Sequence, residues 1–312
     1  MPRSRFASPY FLLSCTVLFW SINWVIGRAV VGMVPPVALA FWRWTLAVLF
    51  MLPFAWPHLR SDWRRIRTHW RPILLLAVLG TGYHNLLSYL GLQYTTATNG
   101  VMLNSSIPVF ILAIGWLFFG HRITLLQLAG LAISLCGVLA ILARGQLAVL
   151  AAFQLNFGDL ILLAAMVQWA LYTLALKWRP GGIHPLAFLF TCAVIGVIAM
   201  SPAYAVELAM GRRIVWSWGV AGALFYVGLF PSFIGYIFWN RGVHEVGPGV
   251  AGLFVHLMPV FGSVLAWIFL DERLYAFHLA GIALILSGIF LTTRRTAQDR
   301  AAGAAATPVA PD

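Results

Sequence analysis

Three ionisable side chains lie inside long apolar runs of this 312-residue chain: Arg43, His84 and His256. An arginine at the centre of a membrane helix costs about 2.5–3.5 kcal/mol even on the lenient insertion scale, so residues of this kind default to functional readings. Arg43 has no acid near it in sequence. It either pairs with freed backbone carbonyls or binds a substrate carboxylate. Gly80, His84 and Ser88 recur at four-residue spacing, which places them on one helical face, and Asn85 adds a polar neighbour. His256 stands three residues before Pro259. Each histidine is read two ways, as a hydrogen-bond partner for a neighbouring helix or as a group that meets substrate or proton. Their spacing is no metal motif, and Cys15, Cys136 and Cys192 each sit alone in an apolar run, so no metal and no cofactor are expected.

Polar and aromatic stripes could complete a pocket around these groups. Trp20, Asn23, Trp24 and Gly27 form one; Gln168, Trp169 and Tyr172 form another; Ser232, Tyr236 and Asn240 repeat every four residues. Aromatics at helical spacing serve packing more often than ligand contact. Asn104 and Ser105, beside Pro108, are stronger candidates because the proline removes a helical hydrogen bond. The expected substrate-binding set is therefore His84, Asn85, Asn104, Ser105, His256, Arg43, Asn23, Trp20, Trp169, Tyr172 and Tyr236, with helix breaks at Gly80, Pro108, Pro231 and Pro259.

The elements that must position these residues follow from composition. Apolar residues make up 62% of the chain and charged residues only 9%, too few to cover a water-facing surface, so the surrounding solvent is lipid. The net charge of +12 does not point to nucleic acid, because basic residues fall between apolar runs rather than in one patch. A spanning helix needs about 20 apolar residues. That length predicts ten helices, near 9–29, 36–56, 72–92, 98–118, 124–143, 158–177, 184–204, 216–240, 247–269 and 275–293. The first apolar stretch, Phe6 to Gly27, outruns the apolar core of a signal peptide and is read as a spanning helix. With the amino terminus inside, inner segments carry 14 Lys and Arg and outer segments five, which places both termini in the cytoplasm of a bacterial-type inner membrane.

The chain also repeats itself. A shift of 151 aligns residues 108–144 with 259–295 at 13 identities, among them Pro108 with Pro259, Trp116 with Trp267, Gly130 with Gly281 and Gly137 with Gly288. A shift of 149 aligns Trp20 with Trp169 and Phe41 with Phe190. Five helices per half is an odd number, so the second half must insert upside down, the inverted-repeat plan of secondary transporters. The expected fold is all-α, ten transmembrane helices as two inverted five-helix repeats, over 1–145 and 146–295, with a disordered cytoplasmic tail at 296–312. Gly130 with Ser134, and Ala283 with Ser287, are expected to let helices approach closely.

The segment Phe19-Trp20-Ser21-Ile22-Asn23-Trp24, the Phe41-Trp42-Arg43 step, the proline-centred fourth helix and Phe269-Leu270-Asp271-Glu272-Arg273-Leu274 resemble the EamA family of the drug/metabolite transporter superfamily. The resemblance runs over roughly residues 10–293 and implies export of amino acids or related metabolites by alternating access. One departure is Gly120-His121-Arg122-Ile123, where the family usually places a glutamate before the arginine; an effect on turn packing is expected. The alternative function is a membrane-embedded lipid-group transferase, which would want an Asp-rich motif or a His/Glu pair at the membrane face. Expected partners are a small-molecule substrate and the lipid bilayer; a homodimer is left open. Energy coupling has two candidates. A histidine, which titrates near pH 6.5 when unperturbed, could carry a proton, or the protein could be a facilitator driven by the solute gradient, the reading preferred because a lone buried histidine is more often a satisfied polar group than a proton carrier.

Overall fold

The computed structural model describes residues 8–95, 97–146, 148–149, 155–269 and 273–305. Among these, ten helices are long and apolar enough to cross a membrane: α1 (Pro9–Gly27), α2 (Pro36–Thr68), α3 (Trp70–Gly91), α4 (Asn99–Phe119), α5 (Leu125–Leu142), α6 (Phe157–Trp178), α7 (Pro185–Ala209), α8 (Trp218–Val246), α9 (Pro248–Phe269) and α10 (Ala276–Thr293). Each starts within two residues of its expected place. The end of α2 is a correction. It continues twelve residues beyond 56, through Pro53 and Pro57 and into an arginine-rich stretch, because helix propensity carries on where the apolar run stops. The last helix continues to Ala305, inside the segment expected as a tail, while 306–312 lie outside the described residues. Asp271 and Glu272 of the family-like turn also lie outside them.

Helix starts are fixed by side chains that occupy otherwise unpaired backbone N–H groups. Thr124 and Gln127 form a capping box on α5, and Asn156 and Asp159 form one on α6. Glu207, from the end of α7, accepts from the N–H of Val37 (3.1 Å) and Ala38 (2.6 Å) at the start of α2. This uses a buried carboxylate as a cap for another helix, with the favourable macrodipole charge. At the opposite, basic end of the bundle, Asp62 accepts from His184 N–H (2.8 Å), and the His58 and His184 rings stack at 3.5 Å.

Four helices are interrupted, and the interruptions match across the 151-residue shift. Val78–Gly82 in α3 and Gly228–Ile234 in α8 are π-helical, and 78–82 shifted by 151 is 229–233. In α4 the helix breaks between Asn104 and Ile107; in α9 the three residues Phe254–His256, equivalent to 103–105, tighten into a 3₁₀ turn. Gly80, Pro231, Pro108 and Pro259 sit in or beside these interruptions.

Helices α5 and α10 pack backbone to backbone. A Cβ at Gly137 would lie 2.6 Å from the Gly281 carbonyl oxygen, and one at Gly288 would collide with the Gly130 carbonyl. These pairings are reciprocal under the shift, since Gly130 corresponds to Gly281 and Gly137 to Gly288. The expected pair Ala283 and Ser287 is exposed instead; the seam uses the glycines seven residues apart, one face further round the helix.

Gly137→Val should strain this seam by about 1–3 kcal/mol, the usual cost of overpacking. Thermal unfolding of the detergent-solubilised variant checks it, and an unchanged midpoint would show that the helices can separate freely. Acid should weaken the basic end. Burial, with the stacked His58 ring and Arg179 acting in the same direction and Asp62 opposing, holds the His184 imidazole below its ordinary 6.5. The unfolded chain then binds more protons than the folded one, so stability is full above about pH 6.5 and falls as pH drops below it. His184→Gln should flatten the fall in unfolding midpoint between pH 7.5 and 5; an equally steep fall would sink the assignment.

Candidate functional site

The interruptions explain how polar groups come together at the centre. Pro231 has no N–H to give the Val227 carbonyl, and that oxygen instead accepts from the Ser232 hydroxyl at 2.6 Å. The same Ser232 oxygen accepts from Arg43 Nε, also at 2.6 Å. A break in α8 thus positions a guanidinium from α2. Arg43 Nη1 completes the set, donating to Asn23 Oδ1 (3.3 Å) and Tyr89 Oη (3.1 Å). The guanidinium is 2% exposed, and all three partners are neutral.

Other interrupted segments also draw side chains from across the bundle. Tyr236 Oη donates to the Gly80 carbonyl (2.8 Å), Gln168 Nε2 to the Val78 carbonyl (2.9 Å), and Trp20 Nε1 to the Pro231 carbonyl (3.1 Å). Gly80 itself must be glycine, since a Cβ there would enter the Tyr172 ring. At the break in α4 the Ser105 carbonyl accepts from His256 Nε2 (3.0 Å). A ring nitrogen that donates leaves its partner as an acceptor, so His256 Nδ1 accepts from the Ser134 hydroxyl at 2.8 Å.

Around Arg43 these helices leave a central cavity. Eight expected residues line it: Trp20, Asn23, Arg43, His84, Asn85, Asn104, Trp169 and Tyr236. His84 Nδ1 donates to the Ala165 carbonyl (2.9 Å), which leaves Nε2 as the acceptor, and the ring lies 4.9 Å from that of Trp169. Trp169 meets Trp20 edge to face at 5.0 Å, and its Nε1 has no partner among the described residues. Three expected residues stand apart from the lining. Ser105 and His256 are tied to each other behind it, His256 with no exposed surface; Tyr172 is buried, donating to Asn240 at 2.8 Å. That bond lies on the side of the cavity nearer the basic end. Toward the other end the lining runs to Gly27 and Leu92.

Several lining residues were not in the expected set: Trp24, Ser88, Tyr89, Ile107, Val255 and Met258. The repeat holds the signal for some of them. Shifting Asn104 by 151 gives Val255, and shifting Ile107 gives Met258. Asn85 and Tyr236, also 151 apart, both line the cavity and approach each other at 3.5 Å. Tyr89 had a local signal, four residues after Asn85 on the same helical face.

The model of the EamA-like transporter family matches residues 7–143 and 156–294. The uncharacterized transporter YyaM of Bacillus subtilis is 26% identical, over 90% of this chain and 92% of its own length. A probable terminal-alkyne amino-acid exporter of Streptantibioticus cattleyicolor is 26% identical over 75% of this chain and 76% of its own. One solved crystal structure superposes with a TM-score of 0.73 at 17% identity, covering 94% of this chain and 98% of that one, a likeness of fold.

Ser232→Ala should leave Arg43 Nε without its partner and take one donor from the Val227 carbonyl, at a cost of about 1–3 kcal/mol. Ser232→Thr keeps the hydroxyl and should lose less. Equal unfolding midpoints for Ser232→Ala and the unsubstituted protein would mean that the break in α8 does not depend on the hydroxyl.

Proposed function

This chain belongs to the EamA-like transporter family, and from that premise we propose that it exports a small amino-acid-like metabolite by alternating access between two inverted halves. Membership makes it a multi-pass membrane transporter. The observation that supports the finer reading is that residues 151 apart in sequence meet at or just behind the cavity. Asn85 approaches Tyr236 in the lining, and behind it the Ser105 carbonyl meets His256, another pair separated by 151. Contacts between equivalent positions are what a two-fold axis between halves produces. Transporters built this way bind solute near the midplane at interrupted helices, which is where the polar groups gather here.

The proposed substrate contacts are Trp20, Asn23, Arg43, His84, Asn85, Asn104, Trp169 and Tyr236. Ser105, His256 and Tyr172 act behind them, holding the interrupted helices together. His84 presents an acceptor nitrogen to the solute, and the protein works as a facilitator down the solute gradient. The amino-acid class draws on the name carried by the Streptantibioticus relative. Both termini are proposed to face the cytoplasm, from the basic asymmetry of the loops.

Cells overproducing the protein should grow at higher concentrations of toxic amino-acid analogues and hold less of them. Pro108→Ala and Pro259→Ala should remove that relief while the protein still reaches the membrane in normal amount. No change in tolerance or retention across an analogue panel would overturn the exporter reading. A cysteine at Ser61 should react with impermeant reagent only from the cytoplasmic side, and one at Gly211 only from outside; labelling of both from one side would sink the topology.

A further inference from the structure

The charge balance of the cavity bears on which solute it takes. Arg43 brings one full positive charge into a space walled by indole rings, a thioether and aliphatic side chains, with amides and phenols as the polar contacts. The four acids whose side chains are described are all engaged elsewhere. Asp62 holds His184, Asp159 holds Thr95 and Asn156, Glu207 caps α2, and Glu245 pairs with Arg241. Among the described residues, then, no carboxylate offsets the guanidinium. A buried charge with only neutral partners lacks most of the compensation it had in water.

The acceptors nearest Arg43 are already committed. Asn23 Oδ1 accepts from both Arg43 and Tyr89, and Ser232 Oγ accepts from Arg43 while donating to Val227. A ligand carboxylate finds donors here, the guanidinium above all. A ligand ammonium finds a fixed positive charge, with the acceptors nearest that charge in use and only neutral ones, His84 Nε2 and the Asn85 and Asn104 amide oxygens, elsewhere in the lining. Indole faces attract cations, but at about 0.5–2 kcal/mol per contact, and here within the field of a guanidinium.

We infer that the cavity selects a net monoanion, an aromatic or apolar monocarboxylate without a free ammonium, gripped by Arg43 and packed between Trp20, Trp24 and Trp169. The inference rests on the transporter reading above and narrows its amino-acid-like class to carboxylates whose amine is absent or blocked. Movement of such a solute carries one negative charge across the membrane, whereas a zwitterion carries none.

Three probes that differ only in their charged groups separate the cases: 3-phenylpropanoate, phenylalanine and phenethylamine. Titration calorimetry on the purified full chain should show 3-phenylpropanoate binding at least about tenfold more tightly than phenylalanine, and phenethylamine not at all. Arg43→Gln should weaken the anion about tenfold or more, the size of a charged hydrogen bond, and erase its advantage over phenylalanine. Arg43→Lys, which keeps the charge without the fork, should fall between them, and it serves as the second test if the glutamine variant does not fold. In proteoliposomes an inside-negative potential should speed efflux of 3-phenylpropanoate and leave phenylalanine unchanged. Phenylalanine binding as tightly as the anion, absence of binding by all three probes, or anion binding indifferent to both Arg43 variants would overturn the inference. Arg43-dependent binding of the anion without any flux would uphold the site while removing the exporter reading.

Discussion

A backbone carbonyl that loses its helical donor inside a bilayer has no water to turn to, and leaving it bare costs several kcal/mol. This chain loosens its helices at four places, and the organisation of its centre follows from the side chains that reach the carbonyls there. Val227 accepts from the Ser232 hydroxyl, Gly80 from Tyr236, Ser105 from His256, and Val78 from Gln168 as well as from the Tyr83 N–H. Apart from Ser232 and Tyr83, each donor comes from a distant helix. The interruptions therefore act as joints between helices, and the polar cavity is assembled from groups that the joints recruit. Arg43 depends on this arrangement directly, since the oxygen that accepts from its Nε belongs to the serine beside Pro231.

How much of this was legible follows from which forces leave a trace along one chain. Span positions were, because lipid demands about 20 apolar residues wherever a helix crosses. The run of α2 to Thr68 was not, because its last turns lie past the apolar stretch, where helix propensity and contacts with His184 decide. Interruptions at Gly80, Pro108, Pro231 and Pro259 could be read from residue type and repeat. Their consequences could not: His256 looked like a site residue, yet both ring nitrogens are consumed by Ser105 and Ser134. Tyr89 and Met258 line the cavity through helix rotation, which a lone sequence hints at only weakly. Met258 becomes visible once its repeat partner Ile107 is considered.

The seam between α5 and α10 answers a different demand. Helices in lipid gain nothing from hiding apolar side chains from each other, so close association relies on small residues that let backbones approach. Gly130, Gly137, Gly281 and Gly288 supply these, with Ser134 and Thr292 filling the spaces between. Ser134 also meets His256, so the seam that joins the two helices reaches the interrupted part of α9. Packing and polar satisfaction thereby meet at one serine.

Arg43 and Ser232 have counterparts under the repeat shifts. Position 43 plus 149 is Cys192, and 232 minus 151 is Thr81. The counterparts also touch, the Thr81 hydroxyl donating to the Cys192 carbonyl at 2.6 Å. One contact therefore occurs twice, once through a guanidinium and once through main chain. A duplicated half offers selection two copies of each wall position to alter independently. Placing a charge on one copy alone gives the cavity a head and a tail, a polarity written by a single divergent residue.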